Sequence, residues 1–251
     1  MKKSIKFKHN KMAEKQVKAE TMAPADVVER ARGFWANYSK RIIIAGSAVA
    51  VLLLGYIGYN KLYKAPNEKK ASELIFPAEK LFGKMASTTS YNKDTVNMVM
   101  NGDKASGITG LLKIISSYGG TPSGNRAEYM VGACYLQLKQ FDKAIKHLKE
   151  FDGNGADQIQ SKAYILLGHA YAEQKKTDDA LSYYKKAGSI SSLDEAMATE
   201  ALFMAGRYAD AIGKTKEAIE LFQKIKDNYP ASQKVTSGDV DKYLAKLGVT
   251  K

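Results

Sequence analysis

The sequence predicts an all-α protein in which a single N-terminal transmembrane helix is followed by a solenoid of helical hairpins. Three observations lead to this fold class. One uncharged apolar run near the N-terminus is as long as a membrane span, and a pattern of small and large apolar residues recurs three times in the second half of the chain. Proline is scarce, with 5 residues in 251, while alanine and lysine are frequent, which favours helices.

The positive charge is concentrated before the apolar run. Residues 1–41 carry eleven Lys or Arg and four Asp or Glu, residues 42–59 carry no charge, and the rest of the chain has 28 basic and 22 acidic residues. This distribution indicates membrane topology, because Lys and Arg accumulate on the cytoplasmic side of a span. Nucleic-acid binding would need basic stripes on the folded domain, so we expect no nucleic-acid partner.

The first 41 residues fall into two segments. Residues 1–23 are rich in lysine and have no apolar period, which predicts a disordered basic cytoplasmic tail. Pro24 is suited to open a helix, and residues 24–41 predict an amphipathic juxtamembrane helix with Arg30, Arg32 and Lys40 on its polar face. Two interpretations of this helix stay open: a contact with the membrane surface or a partner, and a plain helical lead-in to the span.

Residues 42–59 predict the transmembrane helix. Eighteen residues reach about 27 Å in a helix, close to a hydrocarbon core of about 30 Å. Residues suited to the membrane interface flank the run: Phe34, Trp35, Tyr38, Arg41, Tyr56 and Tyr59. A cleaved signal peptide is less favoured, because 41 residues precede the run. The charge bias predicts a cytoplasmic N-terminus and a domain at 60–251 outside the cytoplasm, although four lysines follow the span.

The C-terminal domain contains an internal repeat, in which a glycine is followed by an alanine twelve residues later and by a large apolar residue four residues after that. Its members are Gly132, Ala144 and Leu148; Gly168, Ala180 and Tyr184; and Gly206, Ala218 and Phe222. The small residues let two helices approach closely, and we expect the large ones to fill the gap to the next hairpin. The pattern resembles the tetratricopeptide repeat (TPR) signature of about 34 residues. It is divergent, since the usual early tryptophan is replaced by Glu128, Tyr164 and Leu202.

Further helices are expected on both sides of the three repeats. Residues 91–122 look like a degenerate copy, with helices at 91–101 and 104–118, Gly110 and Ile114 at the small and large positions, and a stop at 119–122. A helix at 65–85 precedes this copy. A short helix at 239–247 is expected to cap the stack.

The sequence offers no set of residues for catalysis, so we predict a protein that is not an enzyme and uses no cofactor. The three histidines, His9, His147 and His169, lack the spacing of a metal site. Cys134 lies in an apolar helical stretch, where a buried, inert thiol is expected.

A binding surface is predicted on the concave side of the stack, which the first helix of each TPR hairpin lines. The candidate partner-binding residues are Arg126, Tyr129, Leu136, Lys162, Ile165, His169, Phe203 and Arg207. This face could accept an extended peptide or a partner's helix. In the alternative interpretation, Tyr129, Ile165 and Phe203 simply pack between hairpins.

The chain resembles the YfgM family of bacterial inner-membrane proteins. The resemblance covers roughly residues 30–247 and rests on the repeats together with ASEL at 71–74, FPA at 76–78, NGD at 101–103, YGGT at 118–121 and GN at 124–125. It implies a periplasmic TPR-like domain that assists protein transport as a chaperone-like partner. The implied partners are the SecYEG translocon, the membrane-anchored foldase PpiD and emerging polypeptides. Membrane lipids are a further expected partner because of the apolar run and its flanks. A TPR scaffold of another cell-envelope assembly or secretion complex is the alternative function.

Overall fold

The computed structural model describes residues 24–86, 92–190 and 194–249, with side chains from residue 28 onward. The chain divides into two compact units, Met1–Gly58 and Tyr59–Lys251. The predicted disordered tail at 1–23 lies outside the described residues.

The described part of the first unit is one helix, α1 (Pro24–Gly58). It begins at the proline that the sequence predicts as a helix start, and it joins the juxtamembrane and transmembrane segments without a break. Residues 42–57 are all exposed, as expected of a helix surrounded by lipid. Among the described residues, one helical stretch is long and apolar enough to cross a membrane, and it contains this run.

The second unit begins with a π-helical segment, Tyr59–Lys64, that continues into α2 (Ala65–Ala86). The predicted helix at 65–85 is therefore confirmed to within one residue. Ala71, Ile75 and Ala78 are spaced by four and three residues, so they fall on one face of α2, and all three are buried. This face packs against the helices that follow, which makes α2 part of the folded domain.

The stretch predicted as a degenerate repeat is built differently. Its helices α3 (Lys93–Asn101) and α4 (Leu111–Tyr118) are joined by a short antiparallel pair, β1 (Gly102–Asp103) and β2 (Ile108–Thr109). The prediction of a helix at 104–118 is therefore wrong for residues 104–110. The carboxylate of Asp103 accepts hydrogen bonds from the backbone N–H groups of Ala105 and Ser106, which stabilises a turn in place of a helix.

The two positions assigned to that degenerate copy have different roles. Ile114 is fully buried, as its place in the pattern predicts. Gly110 instead precedes α4, where a side chain would overlap the backbone of Asn101. The predicted helix stop at 119–122 also contains the start of the next helix, whose first residue is Pro122. The Thr121 hydroxyl caps this helix by accepting a hydrogen bond from the N–H of Gly124 (3.1 Å).

Three helical hairpins follow in the described residues, and they correspond to the three predicted repeats. They are α5 (Pro122–Gln137) with α6 (Phe141–Glu150), α7 (Asp157–Glu173) with α8 (Thr177–Ala187), and α9 (Glu195–Ala211) with α10 (Thr215–Asn228). The second helices α6 and α8 also pack against the first helices of the next hairpins, α7 and α9, so the hairpins stack into a solenoid.

The repeated glycines bring the two helices of each hairpin together. A side chain at Gly132, Gly168 or Gly206 would overlap the large residue of the same repeat: Leu148, Tyr184 or Phe222, respectively. The large residue therefore fills the gap inside its own hairpin, which corrects the expectation that it fills the gap to the next one. Two of these large residues also contact a ring of a later helix. The ring centroids of Tyr184 and Tyr208 lie 5.0 Å apart, and those of Phe222 and Tyr243 also lie 5.0 Å apart.

The turn inside each hairpin uses one residue in the left-handed region. Lys139, Lys175 and Gly213 occupy this position with φ of 57°, 60° and 78°. The next residue in each turn donates its N–H to a carbonyl five residues earlier, as in Gln140 to Tyr135 at 2.9 Å. The sequence predicts the place of these turns but not their shared geometry.

Two short helices close the stack at its C-terminal end, α11 (Gln233–Thr236) and α12 (Asp239–Lys246). The predicted cap at 239–247 is confirmed. Val240 and Leu244 of α12 are buried, and the ring of Tyr243 packs edge-on against Phe203 with centroids 5.2 Å apart. The cap therefore covers the apolar end of the last hairpin.

Candidate protein-binding groove

The first helices of the three hairpins form the inner side of the solenoid. Helix α5 contacts α7, and α7 contacts α9, whereas each second helix packs mainly against the first helix of its own hairpin. Helices that are closer to one another lie on the concave side of a curved stack. We call this inner face of α5, α7 and α9 the groove.

The predicted partner-binding residues separate into exposed polar residues and packed apolar ones. Arg126, Lys162, His169 and Arg207 are exposed. The side chains of Tyr129, Leu136 and Ile165 are partly buried, and Phe203 is only 6% exposed. The groove therefore offers mainly polar and charged groups to a partner.

The packing interpretation holds for the aromatic positions. Tyr129 lies between Phe82 of α2 and Phe151, with ring centroids 6.5 and 5.4 Å away. Phe203 packs edge-on against Phe222 at 5.4 Å and carries the ammonium of Lys234 over its ring. Both side chains therefore pack between neighbouring elements and stabilise the contact between them.

Arg126 is bound to the helix that precedes the repeats. Its Nε lies 2.8 Å from a carboxylate oxygen of Glu79, and its Nη1 lies 3.9 Å from a carboxylate oxygen of Glu68. Because both acids are about fifty residues away in the sequence, local patterns cannot predict this pairing. At this end of the groove the positive charge of Arg126 is already neutralised.

His169 contacts an aromatic pair at the middle of the groove. The hydroxyl of Tyr184 lies 2.9 Å from Nδ1 of His169, and Tyr184 packs in turn against Tyr208 of the next hairpin. Although His169 is exposed as a whole residue, neighbouring side chains enclose part of its imidazole, and this burial lowers its pKa, while the nearby carboxylate of Glu173 acts in the opposite direction. Burial raises the pKa of Tyr184, so its hydroxyl stays protonated and can donate to the neutral imidazole.

The C-terminal cap supplies two further charges to the edge of the groove. Lys234 lies 2.8 Å from a carboxylate oxygen of Glu200, and Lys246 lies 2.6 Å from one of Asp210. Both acids belong to α9. These pairs are not predictable from the sequence, since nothing in the local sequence indicates which lysines the cap brings to α9.

The groups with possible chemical reactivity are engaged or buried. Cys134 is buried, as expected, and burial raises the pKa of its thiol to about 12. His147 lies 2.6 Å from the carboxylate of Glu128, and His9 is outside the described residues. Among the residues that the structure describes, no group of three or more His, Cys, Asp or Glu side chains could hold a metal ion.

A cleft lies beside the start of α5, at the end of the groove that holds Arg126. Its volume is about 520 Å³, and loops at 119–121 and 153–156 line it together with Lys64, Arg126 and Phe151. No Asp, Glu, His or Cys is among its described lining residues.

The predicted membrane-interface residues are exposed on the helical stretch around the apolar run. Phe34, Trp35, Tyr38, Arg41 and Tyr56 lie on α1, whereas Tyr59 belongs to the π-helical segment of the second unit. Phe34 and Tyr38, one helical turn apart, have ring centroids 4.9 Å apart. Their assignment to a lipid interface stays a prediction.

Comparison with known proteins agrees with the repeat architecture. The family described as tetratricopeptide repeat-like domain matches residues 32–241, most of the chain. A TPR repeat-containing protein of Methanocaldococcus jannaschii is 27% identical over 97 residues, which are 38% of this chain and 30% of the archaeal protein.

A solved structure with TPR-like repeats is also similar. It is a kinesin light chain from Podospora anserina, with 12% identity and a TM-score of 0.45, and the match covers 71% of this chain and 90% of that one. Repeat domains of the tetratricopeptide type are scaffolds for protein–protein interaction.

Proposed function

The chain belongs to the tetratricopeptide repeat-like domain family, and from this we propose that it is a non-enzymatic scaffold, held in a membrane by its N-terminal helix, that binds other proteins in the groove. One observation carries the proposal. Two of the three stacked hairpins present Lys162, His169 and Arg207 as exposed residues of the inner face. Such a face accepts an extended peptide or a partner's helix.

The more specific proposal is an ancillary subunit of the SecYEG protein-translocation channel. The protein lies in the bacterial inner membrane with its N-terminus in the cytoplasm and its repeat domain in the periplasm. The excess of basic residues before the apolar run and the resemblance to the YfgM family support this placement. The groove holds a PpiD-like membrane-anchored foldase, emerging secreted polypeptides, or both.

A scaffold of another cell-envelope assembly or secretion complex is the second candidate. The match to the TPR-like family supports it as well, because that match indicates protein binding without indicating a partner. The two candidates share the anchor and the groove. They differ only in which proteins occupy the groove.

Co-isolation from native membranes decides between them. The tagged protein is purified in a mild detergent, its companions are identified by mass spectrometry, and a tagged single-span membrane protein of unrelated fold is the control. Recovery of SecY, SecE and a PpiD-like foldase in constant ratio supports the translocon proposal. Recovery of a different envelope complex, with Sec subunits at the level of the control, contradicts it and supports the second candidate.

A further inference from the structure

Some of the charged side chains in the groove form ion pairs and others do not. Its three inner helices carry three Lys or Arg residues, Arg126, Lys162 and Arg207. Arg126 is neutralised by Glu79 and Glu68. Lys162 and Arg207 form no ion pair or side-chain hydrogen bond with any residue in the described ranges, and both are exposed. The part of the groove on α7 and α9 therefore has two cations available to a partner.

The carboxylates of α9 that share this face are already neutralised. Glu200 pairs with Lys234 and Asp210 with Lys246, both from the C-terminal cap. The other acids of α7 and α9 lie at the helix ends: Asp157 and Glu195 are first residues, and Glu173 is a last residue. The charge of Glu173 acts on His169, but no acid of α7 or α9 pairs with Lys162 or Arg207 within the described residues.

The two free cations occupy neighbouring repeats. Arg207 follows Gly206 of the third repeat and His169 follows Gly168 of the second, so these two residues hold equivalent positions on adjacent helices. Packed helices lie about 8 to 10 Å apart. An extended chain rises about 3.3 Å per residue, so acidic side chains a few residues apart reach successive helices.

From this charge pattern we infer that the α7–α9 part of the groove binds an extended segment of a partner protein that is rich in Asp and Glu. Lys162 and Arg207 make its charged contacts, and His169, at the position of α7 equivalent to Arg207, offers a further polar contact. This inference rests on the proposed function, because it assumes that the groove is the protein-binding surface, and it adds the chemistry of the segment that is bound.

Two labelled peptides of about twelve residues test the inference by fluorescence anisotropy. One alternates Glu and Ala and the other alternates Lys and Ala. The full-length protein is held in nanodiscs of phosphatidylcholine, which carries no net charge and so does not compete for the peptides. We expect the acidic peptide to bind more tightly than the basic one, with an affinity that falls as salt is added.

Paired variants locate the binding site. The double variant Lys162→Glu with Arg207→Glu reverses both groove cations. The control double variant, Lys216→Glu with Lys224→Glu, makes the same change in net charge at two exposed residues of α10. This helix is the second of its hairpin and lies outside the groove. We expect the groove variant to bind the acidic peptide about tenfold more weakly and the α10 variant to change binding less than about twofold. Circular dichroism melting checks that both variants fold.

The outcomes separate this inference from the proposed function. Equal losses in the two variants, or equal binding of the two peptides, overturn the inference, because the basic N-terminal tail or bulk charge then accounts for binding. If the native protein still co-isolates envelope partners, the proposed function stands without the acidic segment. If it co-isolates none beyond the control, the proposed function fails whatever the peptides show.

Discussion

The carboxylate of Glu68 accepts two hydrogen bonds from Ser123. The backbone N–H of Ser123 lies 2.9 Å from one carboxylate oxygen, and its Oγ lies 2.8 Å from the other. Ser123 is in the first turn of α5, where backbone N–H groups have no partner within the helix. A negative charge is favoured at the N-terminus of a helix, so Glu68 stabilises the contact between α2 and the first TPR hairpin.

Removing this carboxylate should weaken the docking of α2. Ser123 is fully buried, so Glu68→Ala leaves its N–H and its hydroxyl proton without their acceptor, although Arg126 still donates a hydrogen bond to the hydroxyl oxygen. We expect the free energy of unfolding to fall by about 1.5 to 3 kcal/mol, measured by denaturant unfolding of the purified full-length protein. Glu73→Gln, at an exposed residue of the same helix, is the control and should change stability little. Equal stability of the two variants would show that the contact contributes nothing.

The repeated glycines should not tolerate a methyl group. In Gly168→Ala the new Cβ overlaps the buried ring of Tyr184, and overpacking of this kind costs about 1 to 3 kcal/mol. Gly83→Ala is the matched control, because Gly83 is exposed on α2 with no atom near the added Cβ. It should stabilise the protein by about 0.5 to 1 kcal/mol through helix propensity. Thermal melting compares the two variants, and a stable Gly168→Ala protein would mean that the helices can move apart.

In the three hairpin turns, adding a glycine and removing one should have opposite effects on stability. Lys139 and Lys175 adopt positive φ at a cost that glycine would not have, so Lys139→Gly and Lys175→Gly should each raise stability, by up to about 1 kcal/mol. Gly213→Ala, at the equivalent turn with φ of 78°, should lower it by about 1 kcal/mol. Chemical denaturation of the three variants tests this. A loss of stability in both glycine variants would indicate that the lysine side chains themselves stabilise the turns.

His169 should titrate below its ordinary value. Burial lowers its folded-state pKa from 6.5, and the charge of Glu173 opposes that shift, so Glu173→Gln should lower the pKa further. NMR titration of the imidazole protons measures both values, with His169→Gln identifying the signal. A midpoint at or above 6.5 in the unaltered protein would contradict the prediction.

The same shift makes stability depend on pH in a defined direction. Between the folded and the unfolded pKa the unfolded chain binds more protons, so the contribution of His169 to stability is fully present above about 6.5. It is lost as the pH falls through the folded pKa. The unfolding free energy of the unaltered protein minus that of His169→Gln should therefore decrease on acidification. An increase would contradict the assignment.

The sequence predicts most of the architecture because the features involved are periodic and local. The apolar run of α1 is long enough to identify without tertiary contacts, and Pro24 marks the start of its helix. Gly132, Gly168 and Gly206 recur at a nearly constant spacing because every hairpin needs the same close approach of its helices. The hairpin at 102–109 was missed, since a short turn held by Asp103 has no period to detect.

The site was only partly predictable for a different physical reason. Helical periodicity assigns residues such as Lys162, His169 and Arg207 to the inner face, and the structure leaves all three exposed there. Which charges remain available depends on contacts between distant segments, such as Glu79 with Arg126 and Lys234 with Glu200. By itself, the sequence determined the anchor-like helix, the three repeats and the residues of the inner face. Only the tertiary structure decided which of those residues are neutralised or packed, because an ion pair depends on the distance between two side chains in space and not on their separation along the chain.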